Sequence, residues 1–208
     1  VLSPDGRCKT FDEAANGYVR GEGVGVVVLK PLSLAIRDGD DIQAVVRASA
    51  VNHGGRANSL TAPNSSAQAE LLVRAWERAD FEPESITYVE AHGTGTALGD
   101  PIEVEGIQRA FAELAARRGV TLPSQPFCAI GSAKPNIGHL EPAAGIAGLI
   151  KTVLALRHRM LPGNPGLERV NPLLRLDGGP VHLLRDTVAW TSPTTHADSM
   201  PRATTCLR

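Results

Sequence analysis

Two histidines set among glycines are the residues of this chain best suited to chemistry. The first lies in Val89-Glu90-Ala91-His92-Gly93-Thr94-Gly95-Thr96-Ala97-Leu98-Gly99-Asp100-Pro101. The second lies in Gly131-Ser132-Ala133-Lys134-Pro135-Asn136-Ile137-Gly138-His139-Leu140-Glu141. Imidazole exchanges or donates a proton near neutral pH, and glycine lets backbone come close to a ligand. Thr94 and Thr96 add hydroxyls for an amide- or hydroxyl-bearing ligand. Around His139, the residues Lys134, Asn136 and Glu141 crowd next to an almost charge-free segment. Buried charges need partners, so a Lys134–Glu141 pair would fix the imidazole. Together the loops read as a site that binds a ligand and does acid–base or electrostatic work on it. On the residues alone, a surface turn at His92 and a capped helix start with solvated charges near His139 are the alternatives.

Other chemistry is weakly supported. Neither Gly93, Gly95, Gly99 nor Gly21, Gly23, Gly25 has the spacing of a dinucleotide fingerprint, and there is no Gly-x-Ser-x-Gly elbow. Zinc held by Cys128, His92 and His139 would lack a close-spaced ligand pair, so no metal is expected. His53, His158, His182 and His196 read as surface or structural residues.

The elements that must position the loops follow from periodicity. Val24–Lys30 and Ile42–Ala50 are β-branched runs that predict strands, separated by a turn at Arg37-Asp38-Gly39-Asp40. Ser65 and Gln68 form a capping-box pattern before a helix with Leu71, Leu72, Ala75, Trp76 and Ala79 on one stripe. Ile86–Ala91 predicts a strand running into His92. Asp100, Pro101 and Glu103 mark a helix start, with Val104, Ile107, Phe111 and Leu114 as its apolar face. Phe127–Gly131 predicts a strand feeding the second loop. Ala143–Leu156 is apolar nearly all round and predicts a buried helix, and Val181–Leu184 predicts a last short strand. From about Thr191 onward the chain reads as loop or tail. Strands alternating with helices imply an α/β layered fold with both histidines at the C-terminal ends of strands.

The 208 residues are 42% hydrophobic, enough for a sizeable core, and Lys+Arg of 21 against Asp+Glu of 22 gives no electrostatic reason to expect nucleic acid or an anionic membrane as partner. No apolar run has the length of a membrane span, and the first residues do not form a signal peptide. Three cysteines without metal-like spacing suit a reducing, cytoplasmic setting. The start at Val1 reads as the interior of a longer sequence.

The two loops together resemble the histidine motifs of the β-ketoacyl synthases, and most closely the ketosynthase domain of modular (type I) polyketide synthases. Asp5–Asp12, Gly17–Gly23, Val51–Gly55 and the helix Ala143–Leu156 match as well, so the resemblance covers roughly residues 1 to 176. It implies a thiolase-like layered α-β-α-β-α fold, here only its C-terminal portion. Residues 1–40 would end the N-terminal half, 41–176 would form the C-terminal half, and 177–208 would be a divergent, truncated tail. The implied activity is that of an acyltransferase: decarboxylative Claisen condensation of an acyl thioester with a malonyl-type extender on acyl carrier protein. His92 and His139 would be the catalytic histidines and Lys134 would support them. Thr94 and Thr96 would bind the pantetheine arm, with Asn136 and Glu141 in support. The domain would bind no cofactor of its own, its substrates riding on carrier-protein phosphopantetheine, and it would act as a homodimer.

Two family features are missing from the 208 residues. The nucleophilic cysteine of an Ala-Cys-Ser-Ser motif is absent, and Cys8, Cys128 and Cys206 lie in other segments, so no residue is assigned that role. The closing Gly-Phe-Gly-Gly-Thr-Asn segment is absent too. The chain by itself is therefore expected to be inactive in condensation, to fold poorly alone, and to keep at most residual malonyl decarboxylation. A fatty-acid-type synthase and a non-catalytic chain-length-factor-like partner are the alternatives; Asn136–Glu141 argues against the first, and the presence of both histidines against the second.

Overall fold

The computed structural model describes residues 2–55 and 63–191 and the backbone of 202–205. In chain order the helices are α1 (Leu32–Asp38), α2 (Ser65–Ala79), α3 (Gly99–Arg118), α4 (Lys134–Ile137) and α5 (Ala144–His158). The strands are β1 (Ile86–Glu90), β2 (Cys128–Gly131), β3 (Met160–Leu161), β4 (Val181–Leu183), β5 (Val188–Ala189) and β6 (Arg202–Thr205). A parallel sheet in the order β4-β2-β1-β6 organises them, and β3 and β5 form a small antiparallel pair.

The sheet is buried on both faces, as a parallel sheet must be. Val89, Cys128, Ile130 and Val181 face a core completed by Val73 and Trp76 of α2 and by Val104, Ile107, Phe111 and Leu114 of α3. Tyr88 and Ala129 point the other way, onto Ala155 of α5, Leu161 and Trp190. The period-two alternation along β1 and β2 thus separates two layers, and the expected α/β layering is present. Because β1 and β2 run parallel with Glu90 level with Gly131, the loops that follow them leave the sheet side by side.

Several local expectations are corrected. Val24–Lys30 and Ile42–Ala50 are not strands; neither run pairs with a neighbour among the described residues. Val24, Val26 and Val28 are more than four-fifths exposed. Their periodicity records a burial that the described part of the chain does not supply. The cap of α2 is Asn64, whose side chain accepts the Ser66 and Ala67 N–H groups, so Ser65 is already helical. Its buried stripe keeps the expected Leu72, Trp76 and Ala79 and takes Ala69 and Val73 in place of Leu71 and Ala75. Helix α1, unexpected from the sequence, ends on Gly39 in the left-handed region. Only Gly148, Thr152 and Ala155 of α5 are buried, and Leu154 is 45% exposed, so the apolar helix is covered on one side only. Its other side lines an apolar concavity of about 560 Å³ together with Val24, Ile137 and Leu140. The last strand expected at Val181–Leu184 is present as β4; β5 is unexpected from the sequence, and the stretch beyond Thr191 read as loop or tail contributes β6, which pairs with β1 through backbone groups; residues 192–201, including His196, and Cys206 lie outside the described residues. No helix among the described residues is long and apolar enough to cross a membrane.

Candidate active site

His92 and His139 meet edge to face, their ring centroids 5.0 Å apart. Each owes its place to the element before it. His92 follows β1 and Ala91, whose N–H donates to the Gly131 carbonyl of β2. His139 is clamped through its main chain: its N–H donates to the Val19 carbonyl at 2.7 Å, and its carbonyl accepts the Gly21 N–H at 3.0 Å. Tyr18 packs edge-on against the same ring at 5.3 Å. The His139 Nδ1 accepts the Glu141 N–H at 3.0 Å, so the neutral ring carries its proton on Nε2. Burial lowers the His139 pKa, and the Lys134 ammonium lowers it further, against the smaller opposing pull of Glu141. His139 is thus held as a neutral imidazole with Nε2–H as donor.

Lys134 is 7% exposed, in the first turn of α4. Burial pushes its ammonium below the ordinary lysine range, while Glu103 and then Glu90 pull it back up. The expected Lys134–Glu141 pair does not form: the Glu141 carboxylate meets Arg20 at 3.1 Å on the surface, and only its backbone N–H serves the site. The reason is the left-handed turn at Glu141, φ 50°, which aims its N–H at the ring. Asn136 is exposed on the rim of the apolar concavity. The Thr96 hydroxyl accepts the Gly99 N–H at 3.2 Å and lies 3.4 Å from that of Thr94, so the two threonines are adjacent on the first loop.

The carboxylates beneath the loops were missed as site residues. Glu103 does not cap α3. Its Oε1 accepts the half-buried His92 N–H at 2.7 Å and its Oε2 the buried Gly93 N–H at 2.8 Å. Asp100 likewise turns inward, accepting from Phe11 at 2.8 Å and from Gly95 at 3.1 Å. Leu98 is the capping position of α3, with no side-chain hydrogen bond. Glycine is required at Gly95, where φ is +75° and a Cβ would stand 2.8 Å from the Lys9 nitrogen. The first loop is thereby pressed onto Cys8–Thr10, and the Thr10 hydroxyl donates to the Gly93 carbonyl at 2.7 Å.

Burial, reinforced by the Glu103 charge, raises the Asp100 carboxyl from 3.8 to about 7. Its folded value lies above its unfolded one, so between pH about 4 and about 7 the folded state holds the proton that the unfolded chain has released. At this group stability falls as pH rises through that window and levels off above it. The protein carrying Asp100→Asn should therefore show a flatter decline of its urea midpoint across that range than the wild type; equal slopes would refute the assignment.

Neither described cysteine resembles an activated nucleophile. Cys8 is buried, its Sγ accepting the Val19 N–H at 3.1 Å, and burial raises its pKa. Cys128 is fully buried in β2 and its thiol is pushed well up by the same cause. Among the described residues no cluster of three or more His, Cys, Asp or Glu side chains could hold a metal ion.

Known proteins are similar to this chain in sequence and in fold. Residues 43–168 match the family described as beta-ketoacyl synthase, C-terminal domain, and residues 1–35 match its N-terminal domain. The chain is 50% identical over 190 residues to the polyketide synthase PksN of Bacillus subtilis, covering 91% of the chain and 4% of that protein. It is 50% identical over 192 residues to the polyketide synthase ThaG of Burkholderia thailandensis, covering 92% of the chain and 3% of that protein. Among solved structures, the oxazolomycin ketosynthase domain OzmH KS7 of Streptomyces albus superposes with a TM-score of 0.85 at 47% identity, covering 97% of the chain and 33% of that one. The ketosynthase from module 6 of the Bacillus subtilis bacillaene synthase gives 0.85 at 40% identity, with 92% and 34% covered. The chain thus spans about a third of the solved ketosynthase chains and a small fraction of the curated relatives. The paired histidine loops, both domain matches and the shared thiolase-like fold lead to one conclusion: this chain belongs to the β-ketoacyl synthase family, in its modular polyketide synthase branch.

Proposed function

We propose that this chain supplies the decarboxylation half of a polyketide β-ketoacyl synthase site. The observation that carries the reading is the pair of imidazoles 5.0 Å apart, one of them fixed as an Nε2–H donor by the Glu141 N–H. A malonyl thioester loses carbon dioxide by cleavage of its Cα–carboxylate bond, and the electron pair left behind forms an enolate. Donors aimed at the thioester oxygen stabilise that charge as it develops. The enolate carbon then attacks an acyl thioester and expels the thiolate, leaving a β-ketoacyl product. His92 and His139 are the oxyanion donors, Lys134 keeps His139 neutral, and Thr94 and Thr96 hold the pantetheine arm. Asn136 and the Glu141 backbone support them. The substrates ride on the phosphopantetheine of an acyl carrier protein, the domain binds no cofactor of its own, and the working unit is a cytoplasmic homodimer.

The acyl-holding thiolate comes from outside these 208 residues. This predicts a difference readable by intact-mass spectrometry after incubation with an acyl-pantetheine thioester. The complete ketosynthase domain gains one acyl mass, and the 208-residue chain gains none. A stable adduct on Cys8, Cys128 or Cys206 would overturn the division of labour.

A further inference from the structure

Glu90 is the last residue of β1 and only 2% exposed. Its carboxylate joins the second loop, α5 and its own strand. Oε1 accepts the Ala133 N–H at 2.7 Å, one residue before Lys134. Oε2 accepts the Tyr88 hydroxyl at 2.6 Å and the Lys151 ammonium at 2.7 Å. Lys151 comes from the middle of α5 and has a side-chain exposure of 17%. Gly131 shows that this cluster is built into the sheet: a Cβ there would stand 2.5 Å from the Tyr88 hydroxyl and 3.3 Å from the Lys151 nitrogen. Glu90 thus forms a buried ion pair with Lys151, and Gly131, without a side chain, leaves room for it.

We propose that Glu90 is a positioning residue of this site: clamped between Lys151 of α5 and the Ala133 N–H, its carboxylate ties the first histidine loop to the second and provides countercharge to Lys134. The proposal rests on the decarboxylation reading for its catalytic consequence, though not for its geometry. A buried ion pair is costly to break from one side and far less costly to remove as a pair. Lys134 is faced by Glu103 and Asp100 from α3, by Glu90 from β1 and by Cys8. His139 is faced by Lys134, Glu141, His92 and Tyr18. The Glu90 charge thus offsets, at His139, the positive charge of Lys134.

The test uses the complete ketosynthase domain with Glu90→Gln, Lys151→Met and the two combined. The Glu90→Gln change keeps the side chain's shape and an oxygen that can still accept the Ala133 N–H, so it removes the charge and leaves the fold a way to form. Glu90→Gln should lower kcat for malonyl decarboxylation about ten-fold with KM little changed, the scale of losing a residue that orients a catalytic group. The double variant should recover most of that loss. The second readout is the His139 titration followed by NMR of the ring. It should move down in Glu90→Gln, up in Lys151→Met, and back toward wild type in the double variant. A merely structural role would not move the titration in opposite directions. Unmoved His139 titrations in both single variants, or a double variant slower than either single one, would overturn the proposal. If the wild-type domain released no carbon dioxide, the functional reading would fail while the titration still decided the role of Glu90.

Discussion

His139→Ala in the complete ketosynthase domain should lower malonyl decarboxylation by about 10²–10³-fold, the range for losing one preorganised oxyanion donor. The KM for the thioester should stay within about three-fold, because the lost contact forms only as charge develops on oxygen. The substitution is clean. The main-chain bonds of residue 139 to Val19 and Gly21 do not depend on the side chain, so the loop keeps its course. What disappears is the ring, with its edge contacts to Tyr18 and His92 and the Nδ1 acceptor of the Glu141 N–H, which lies at the surface where water replaces it. The pH profile gives a second check. Protonating His139 would place a proton on Nδ1, the atom that accepts the Glu141 N–H, and would set a cation near Lys134. Burial opposes the charged ring most and the Lys134 ammonium adds to it, so its pKa lies below the ordinary 6.5. The rate should hold as pH falls through 6.5 and decline only below it. Activity of the alanine variant within ten-fold of wild type would remove His139 from the mechanism.

The contrast between these rings and their supports shows what a sequence exposes. His92 and His139 are readable because each sits next to a glycine in a polar, glycine-containing loop that follows an apolar strand-like run, a purely local signature. Their carboxylate supports carry no local signature. Glu103 stands three residues after Asp100 and close to Pro101, the pattern of a capped helix start, yet both side chains turn into the interior. Only the parallel pairing of β1 with β2 sets Glu90 beside Ala133 and opposite Lys151, a separation of 61 residues that periodicity cannot bridge. The same limit acts on the strands. Val24–Lys30 has the composition of a buried strand, but pairing is a property of two segments, and the described chain offers it no partner. Arg202–Thr205 has no apolar pattern at all and still forms the edge of the sheet, because parallel pairing to β1 asks only for backbone donors and acceptors. Lys134 and Glu141 illustrate the converse error. Proximity in sequence suggested an ion pair, and a left-handed turn sent the carboxylate to Arg20 instead.

Glu103→Ala should be the most destabilising single change at the site, by about 3–5 kcal/mol, the cost of stripping one partner from a buried charged group. Glu103 is 6% exposed and satisfies two backbone donors, the half-buried one of His92 and the buried one of Gly93. Alanine leaves both unmet, at about 1–3 kcal/mol each, and removes the foremost countercharge of the buried Lys134. In urea the midpoint should fall with little change in slope, the sign of lost native stability rather than a more open denatured state. Glu103→Gln should fall between, since its amide oxygen can accept one of the two N–H groups while its NH₂ opposes the other. Adding Lys134→Met to Glu103→Ala separates the two costs. It removes the stranded ammonium but not the orphaned donors, so part of the loss should return and part should remain. A loss below about 1 kcal/mol for Glu103→Ala would mean that water reaches the His92 and Gly93 amides, and the first histidine would then rest on a loop far less preorganised than an oxyanion donor requires.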